Sequence, residues 1–271
     1  MKRLTAIFAL LLSFMVVLSA CGTSNNADNN KKTTGSKTDL LAKIKADGKL
    51  LIGTEGTYAP FTFHDQSGKL TGFDVEIATE VAKRLGVTPE FKETQWDAMF
   101  AGLDAKRFDM VANEVGIRPD RQVKYDFSTP YITSAAVLIT RNDNNKVAKF
   151  EDIKGLNSAQ SMTSNFADIA RKYGAKIVSV PGFNESMDLL AAKRVDVTVN
   201  DKISFLDYKK HKPDAPVKIA ATQSEASTSG FMFRKNNKTF VDAVNKALND
   251  MISDGTYKKI SEKWFGEDVL K

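Results

Sequence analysis

The 271-residue chain contains one cysteine, Cys21, so no internal disulfide is possible. It has two histidines, His64 and His211, each in a polar stretch where a surface position is expected. No Ser-His-Asp pattern, metal-ligand cluster or glycine-rich phosphate loop is present, which argues against hydrolase, metalloenzyme and nucleotide-binding chemistry. After residue 18 no apolar run approaches the ~20 residues that a membrane-spanning helix needs. Charge of one sign is not concentrated either. The 39 basic and 33 acidic residues are interspersed, and no basic stripe marks a nucleic-acid footprint.

What is present begins with a basic start, Met1-Lys2-Arg3, followed by an almost wholly apolar run of 15 residues from Leu4 to Leu18. That length suits the core of a secretory signal better than a membrane span. The run ends in Leu18-Ser19-Ala20-Cys21, small residues before a cysteine, which resembles a bacterial lipobox. There the chain is cut before the cysteine and its sulfur is acylated. An ordinary signal peptide with a chance cysteine is the alternative. If Cys21 is lipidated, the mature chain has no free thiol, and its formal charge falls from +6 by the two of Lys2 and Arg3. Gly22 to Asp39 holds no aromatic residue and no aliphatic one larger than Ala27. Such a segment cannot bury enough apolar surface to offset its ordering entropy, so a flexible tether is expected.

From Leu40 onward the pattern alternates. Leu50 to Gly53 reads as a buried strand, and from Phe73 the residues Val75, Ala78, Val81, Ala82 and Leu85 share one helical face that Gly86 closes. Strand Glu90–Glu93, a helix marked by Trp96, Met99, Phe100 and Leu103, and strand Asp109–Ala112 follow. Phe166, Ile169, Ala170 and Tyr173 mark a helix ended by Gly174, before strand Lys176–Val180. A helix at Met187–Ala191, strands Val195–Val199 and Pro216–Ala220, and two C-terminal helices over Phe240–Met251 and Tyr257–Trp264 complete the series. Alternation at this spacing predicts an α/β fold with parallel sheets covered by helices.

An internal echo refines this. Leu103–Glu114 reads LDAKRFDMVANE and Leu190–Asp201 reads LAAKRVDVTVND, with six of twelve positions identical at an offset of 87 residues. Gly86 and Gly174 sit at nearly the same offset. The implied helix, turn and strand agree too, so two copies of one α/β plan, and hence two lobes, are expected. The echo makes Glu114 and Asp201 equivalent. Each falls at the carboxyl end of a strand, where open α/β sheets bind ligands.

Several segments together resemble the polar-amino-acid binding proteins of ABC importers: GTEGTYAPFTF (Gly53–Phe63), LTGFDVEIATEVAKRLG (Leu70–Gly86), TQWDAMFAGL (Thr94–Leu103) and VANEVGIRPDRQVKYDFSTPY (Val111–Tyr131). NSAQSMTSNFA (Asn157–Ala167), VDVTVND (Val195–Asp201) and DGTYKKISEKWFGEDV (Asp254–Val269) continue the resemblance to the C-terminus. Within that family, ANEVG, YDFSTPY, SAQSMTSNF and the ending WFGEDVLK look most like the L-cystine-binding lipoproteins. The resemblance implies a two-lobed periplasmic-binding-protein-like fold of type II, with two mixed or parallel sheets and two hinge crossings, closing on ligand by hinge bending. The expected divisions are residues 1–20 as signal peptide, 21–39 as tether, 40–131 with 228–271 as one lobe, and 132–227 as the other. It also implies an extracytoplasmic, lipid-anchored monomer that delivers its ligand to permease and ATPase subunits, without a cofactor, metal or nucleic-acid partner.

An amino acid presents a carboxylate and an ammonium close together, and a closed cleft must pair both. Arg121 matches the family arginine that grips the carboxylate with two parallel hydrogen bonds. The backbone N–H groups of Thr163 and Ser164 would meet the same carboxylate at a helix start. Asp201 matches the carboxylate that takes the ammonium, supported by the carbonyl of Val115. Tyr58, Phe61 and Trp96 are expected to line the side-chain end of the cleft, the first two as exposed loop aromatics beside Pro60. Plainer readings stand beside these: Asp201 as a helix cap, Arg121 as a solvated surface residue, Ser164 as an N-cap, Trp96 as core.

The sequence departs from the family at three positions. Gly116 replaces a hydroxyl residue, Met162 replaces a smaller one, and Glu114 stands where cystine binders often show glutamine. Glu114 with Asp201 suits a ligand with two ammonium groups, as cystine has, and equally a cationic amino acid. Arginine, histidine and glutamine are therefore alternative ligands. A dehydratase-type enzyme of this fold, with Glu114 as its acid or base, is one rival; a sensor that signals through a partner and an adhesin are the others.

Overall fold

The computed structural model describes residues 39–270. The expected signal run, the expected lipobox with Cys21, and all but residue 39 of the expected tether lie outside the described residues.

The first half runs α1 (Leu40–Asp47), β1 (Lys49–Thr54), β2 (Thr57–Tyr58), β3 (Thr62–His64), β4 (Leu70–Thr71), α2 (Phe73–Leu85), β5 (Thr88–Glu93), α3 (Trp96–Asp104) and β6 (Met110–Val111). After α4 (Pro119–Lys124) and β7 (Tyr125–Phe127), the chain passes through β8 (Ile132–Ser134) into β9 (Ala136–Arg141). There follow β10 (Asn157–Gln160), α5 (Asn165–Lys172), β11 (Lys176–Ser179), α6 (Phe183–Ala191), β12 (Val197–Asp201), α7 (Lys202–His211) and β13 (Val217–Thr222). It returns through β14 (Ser227–Ser229) to β15 (Met232–Arg234), and ends with α8 (Lys238–Ser253) and α9 (Thr256–Phe265).

Ten of these strands form two five-stranded sheets, one in each lobe, ordered β5-β1-β6-β15-β7 and β11-β10-β12-β9-β13, while β2, β3 and β4 form a small sheet of their own. In each five-stranded sheet, the first three strands are parallel and the last two join antiparallel. Alternation in sequence predicts the parallel part. It is blind to β15 and β9, which enter their sheets from the two crossings. Those crossings pair with each other as the antiparallel ribbon β8–β14.

The internal echo is a structural repeat down to single torsions. Lys106 and Lys193, 87 residues apart, both adopt a left-handed backbone, with φ 58° and 60°. The carboxylates of Asp109 and Asp196 each accept a backbone N–H, from Leu51 and Asn157. The helical stripe on α2 buries Phe73, Ile77, Ala78, Val81 and Ala82, and α8 and α9 pack against that helix. Phe108 is wedged so closely that a Cβ on Gly53 or Gly102 would come within 2.7 Å of its ring.

Candidate functional site

The carboxyl ends of β1 and β6 face those of β10 and β12 across a partly open cavity. Its lining includes Glu55, Tyr58, Trp96, Asn113 and Glu114 from the first lobe, and Gln160, Ser164, Asn165, Phe183 and Asn200 from the second. The lobes touch directly around it. Tyr58 donates its hydroxyl to Asn200 Oδ1 at 3.0 Å, and Asn184 Nδ2 donates to the Thr57 carbonyl at 3.2 Å. The cavity measures about 40 Å³, room for a few waters, so a whole amino acid enters only when the lobes part.

Glu114 is the central charged group. Its backbone takes a left-handed turn at φ 48°, held by its own N–H, which donates to the Asp74 carboxylate. That carboxylate also accepts from Tyr131 at 3.1 Å, and Tyr257 in turn donates to the Tyr131 carbonyl at 2.6 Å. The side chain of Glu114 accepts from Ser229 Oγ at 2.7 Å. Burial, and then the charge of Asp201, push its carboxyl well above the usual carboxylate range. Burial likewise raises Glu55 and Asp74 to about 7, and Asp201 to about 6. The Asn113 amide donates to Glu55 Oε2 at 2.6 Å. No lysine, arginine or histidine is among the lining residues, so the cavity favours cations.

Arg121 stands beside one end of this space and is buried. Its guanidinium lies 5.4 Å from the centres of both the Trp96 and Phe100 rings, and Nη1 donates to the Gly116 carbonyl at 3.1 Å. Nη2 is buried without a partner, as is the indole N–H of Trp96. Burial, with the charge of Arg118, pulls the guanidinium down to about 10. Two adjacent buried donors lacking an acceptor is an arrangement that an entering carboxylate would complete.

The other expected residues fall into place unevenly. Ser164 lines the cavity and N-caps α5, its Oγ accepting from Ala167 N at 3.0 Å. Asp201 also fulfils its plainer reading. Its Oδ1 caps α7 by accepting from Ile203 N at 2.7 Å, and the residue lies behind Asn200 rather than in the lining. Phe61 requires correction: it is fully buried, against Tyr58 and Phe265, and does not reach the cavity. Neither it nor Tyr58 is an exposed loop aromatic: Phe61 packs against Phe265 of α9, and Tyr58 against Phe183 of α6 with its hydroxyl on Asn200.

The Thr163 N–H is already engaged, donating to Asp97 Oδ1 at 2.9 Å, and the Val115 carbonyl accepts from Gly230 N at 3.0 Å. Met162 is partly exposed, with its sulfur 3.9 Å from Arg171 Nη2. Gly116 bridges Ser229. Sequence reasoning missed Glu55, Asn113 and Asn200. The last two are the identical asparagines of the echo, so the repeat that singled out Glu114 and Asp201 could have found them.

The raised carboxyls carry a stability prediction. Asp74 has an ordinary value of 3.8 and a folded value of about 7, so its ionisation is penalised only in the folded state. Its contribution is fully present below about pH 4 and is lost as pH rises through about 7, on the order of 3–4 kcal/mol. The ligand-free protein is therefore expected to melt at a lower temperature at pH 8 than at pH 5. Asp74→Asn keeps an acceptor for Glu114 N and Tyr131, and should flatten that slope. Calorimetric melts across this range check it, and equal slopes in both proteins would show that Asp74 is not the group responsible.

A two-lobed α/β protein with a polar cavity at its facing strand ends has the architecture of a solute receptor. The chain belongs to the bacterial extracellular solute-binding proteins, family 3, whose pattern matches residues 50–267. It is 53% identical over 268 residues to the L-cystine-binding protein TcyA of Bacillus subtilis (strain 168), covering 97% of this chain and 99% of that protein. Among solved structures, the L-cystine solute receptor of Neisseria gonorrhoeae in its unliganded open conformation is 48% identical, with 84% of this chain and 98% of that one covered. Its TM-score is only 0.56. A substrate-binding protein of an ABC uptake transporter from Streptococcus pneumoniae, with bound histidine, is 26% identical yet reaches a TM-score of 0.80, covering 86% and 98%. The more similar sequence gives the poorer overlay because it is open. The lobes of this chain touch, as the interlobe hydrogen bonds require.

Proposed function

We propose that this chain is the extracytoplasmic, lipid-anchored receptor of an ABC amino-acid importer, binding L-cystine between its lobes and delivering it to the membrane permease. The observation that carries the reading is the buried, unpartnered Nη2 of Arg121 over Trp96, at one end of a cavity lined by carboxylates. One ligand carboxylate would bind Arg121. Ammonium groups would bind Glu114, with Asp201 behind it and Glu55 beyond Asn113, and Tyr58 and Trp96 would flank the chain between. The 53% identity to TcyA favours cystine among the ligands that such a lining accepts. A cationic amino acid is the second reading, favoured by the absence of basic side chains from the lining. No turnover is expected, because the family and the relatives are named for solute binding.

Calorimetric titration of the chain from Leu40 onward with L-cystine, cysteine, arginine, histidine and glutamine tests the reading, with recovered ligand analysed for chemical change. Binding of cystine in strong preference to the rest is the expected result. Preference for arginine would replace the ligand and keep the receptor. Chemical conversion of any of them would overturn it. The anchor has its own test: Cys21→Ala should shift the protein from the membrane fraction to the soluble one.

A further inference from the structure

At the mouth of the cleft, outside the ligand cavity, the two lobes are joined by a continuous polar chain. Asp97, in the first turn of α3, reaches across to the second lobe. Its Oδ1 accepts from Thr163 N at 2.9 Å and from Thr163 Oγ1 at 2.7 Å, and its Oδ2 accepts from Met162 N at 3.1 Å. Those N–H groups precede α5, where amides point outward without intrahelical partners and the helix dipole favours a negative charge. The chain continues through Arg171. Its Nη2 donates to the Met162 carbonyl at 2.9 Å, and its Nη1 pairs with Asp168 Oδ1 at 3.0 Å. Asp168 Oδ2 then accepts from Arg118 Nη1 at 2.9 Å, which returns the chain to the first lobe. None of these residues lines the cavity.

We infer that Asp97 and Arg118 form an interlobe clasp that stabilises the closed state without touching the ligand, and so sets how slowly the bound amino acid is released. A contact made only in the closed state shifts the open–closed equilibrium by its own free energy, whether or not ligand is present. The two arms differ in strength. The Arg118–Asp168 pair is an exposed ion pair, worth little alone and weakened by salt. Asp97 makes three charge-assisted hydrogen bonds in one geometry, two of them to backbone groups that do not have to be immobilised. Asp97 is therefore the main arm, and Arg118 holds Asp168 and Arg171 in place for it.

The clasp also explains why the Thr163 amide, expected from the sequence to meet the ligand, is not free to do so. A side-chain carboxylate of the protein occupies it. Recognition of the ligand carboxylate passes to Arg121, while the Met162 and Thr163 amides ahead of α5 act on closure.

The clasp rests on the reading of the cleft as a ligand site for its kinetic consequence, but not for its effect on closure. The experiment therefore has two arms, on the chain from Cys21 onward carrying Cys21→Ser. In the first, small-angle X-ray scattering without ligand compares the parent, Asp97→Ala and Arg118→Gln. Asp97→Ala is expected to increase the radius of gyration, and Arg118→Gln to do so less, with melting temperatures showing both lobes folded. In the second, stopped-flow release of L-cystine, or of whichever tested amino acid binds, is expected to quicken roughly tenfold in Asp97→Ala while the association rate changes less than about threefold. Raising the salt concentration should move the parent toward Arg118→Gln. Unchanged scattering and unchanged release in folded Asp97→Ala would overturn the clasp. If no amino acid binds, the receptor reading fails and the scattering arm alone decides.

Discussion

Replacing Arg121 by methionine is expected to abolish amino-acid binding while leaving the ligand-free protein at least as stable as the parent. These outcomes have opposite signs because the guanidinium is built for a partner that only the ligand brings. In the ligand-free protein it makes one hydrogen bond to the protein, to the Gly116 carbonyl, and keeps Nη2 buried and unpaired. Burial pulls it from 12.5 to about 10, roughly 3 kcal/mol against the charged form. Methionine has similar length, needs no partner, and can fill the space between the Trp96 and Phe100 rings with a polarisable sulfur. With ligand, the substitution leaves a carboxylate buried without its cation, which typically costs about 2–5 kcal/mol. That corresponds to an affinity loss of about thirtyfold to several thousandfold. Titration calorimetry reads the second effect and a thermal melt the first. A marked fall in melting temperature would mean that Arg121 is chiefly structural.

Gly72→Ala should produce the largest loss of stability of any single methyl addition in the first lobe. Gly72 has φ 131°, a conformation that side-chain-bearing residues rarely adopt, and a Cβ there would stand 2.2 Å from the Phe61 carbonyl oxygen. The clash is with backbone, which cannot turn aside as a side-chain tip can. The Phe61 carbonyl is also fixed, since it accepts the Asp74 N–H at 2.9 Å. Relief would have to displace the start of α2, and with it the Asp74 carboxylate that holds Glu114 in its left-handed turn. Torsional strain and overpacking together suggest roughly 3–5 kcal/mol. In a protein of this size that is a fall of roughly 10 °C or more in melting temperature. Weaker ligand binding should accompany it, because Glu114 is displaced. A melt within a few degrees of the parent would show that the loop relaxes and that Gly72 is dispensable.

Much of the architecture was legible before any coordinates. Apolar stripes at helical spacing marked α2, α5 and α8, and glycines marked their ends, because these are local consequences of the backbone. The echo between Leu103–Glu114 and Leu190–Asp201 announced the repeat, since equivalent turns demand equivalent residues. Arg121 and Ser164 were named from the resemblance; Ser164 is in the lining of the cavity, and Arg121 is buried beside Trp96, outside that lining. Phe61 and Thr163 could not be placed in this way. Whether a loop aromatic faces a cavity or the core depends on what packs against it, here Phe265 of α9 from a distant part of the chain. Whether an amide is free depends on what crosses from the other lobe, here Asp97.

The sequence by itself determined the main helices and parallel strands, the repeat, the two-lobed class and the carboxylate at Glu114, because periodicity and residue chemistry are carried within short segments. Only the tertiary structure decided the antiparallel strands β15 and β9, the hydrogen bond from Asn113 to Glu55, and the contact of Asp97 with the Met162 and Thr163 amides. Each of these depends on the position of one segment relative to another dozens of residues away. That position is set by packing of the whole core and by how the lobes meet, and neither is encoded in any local pattern.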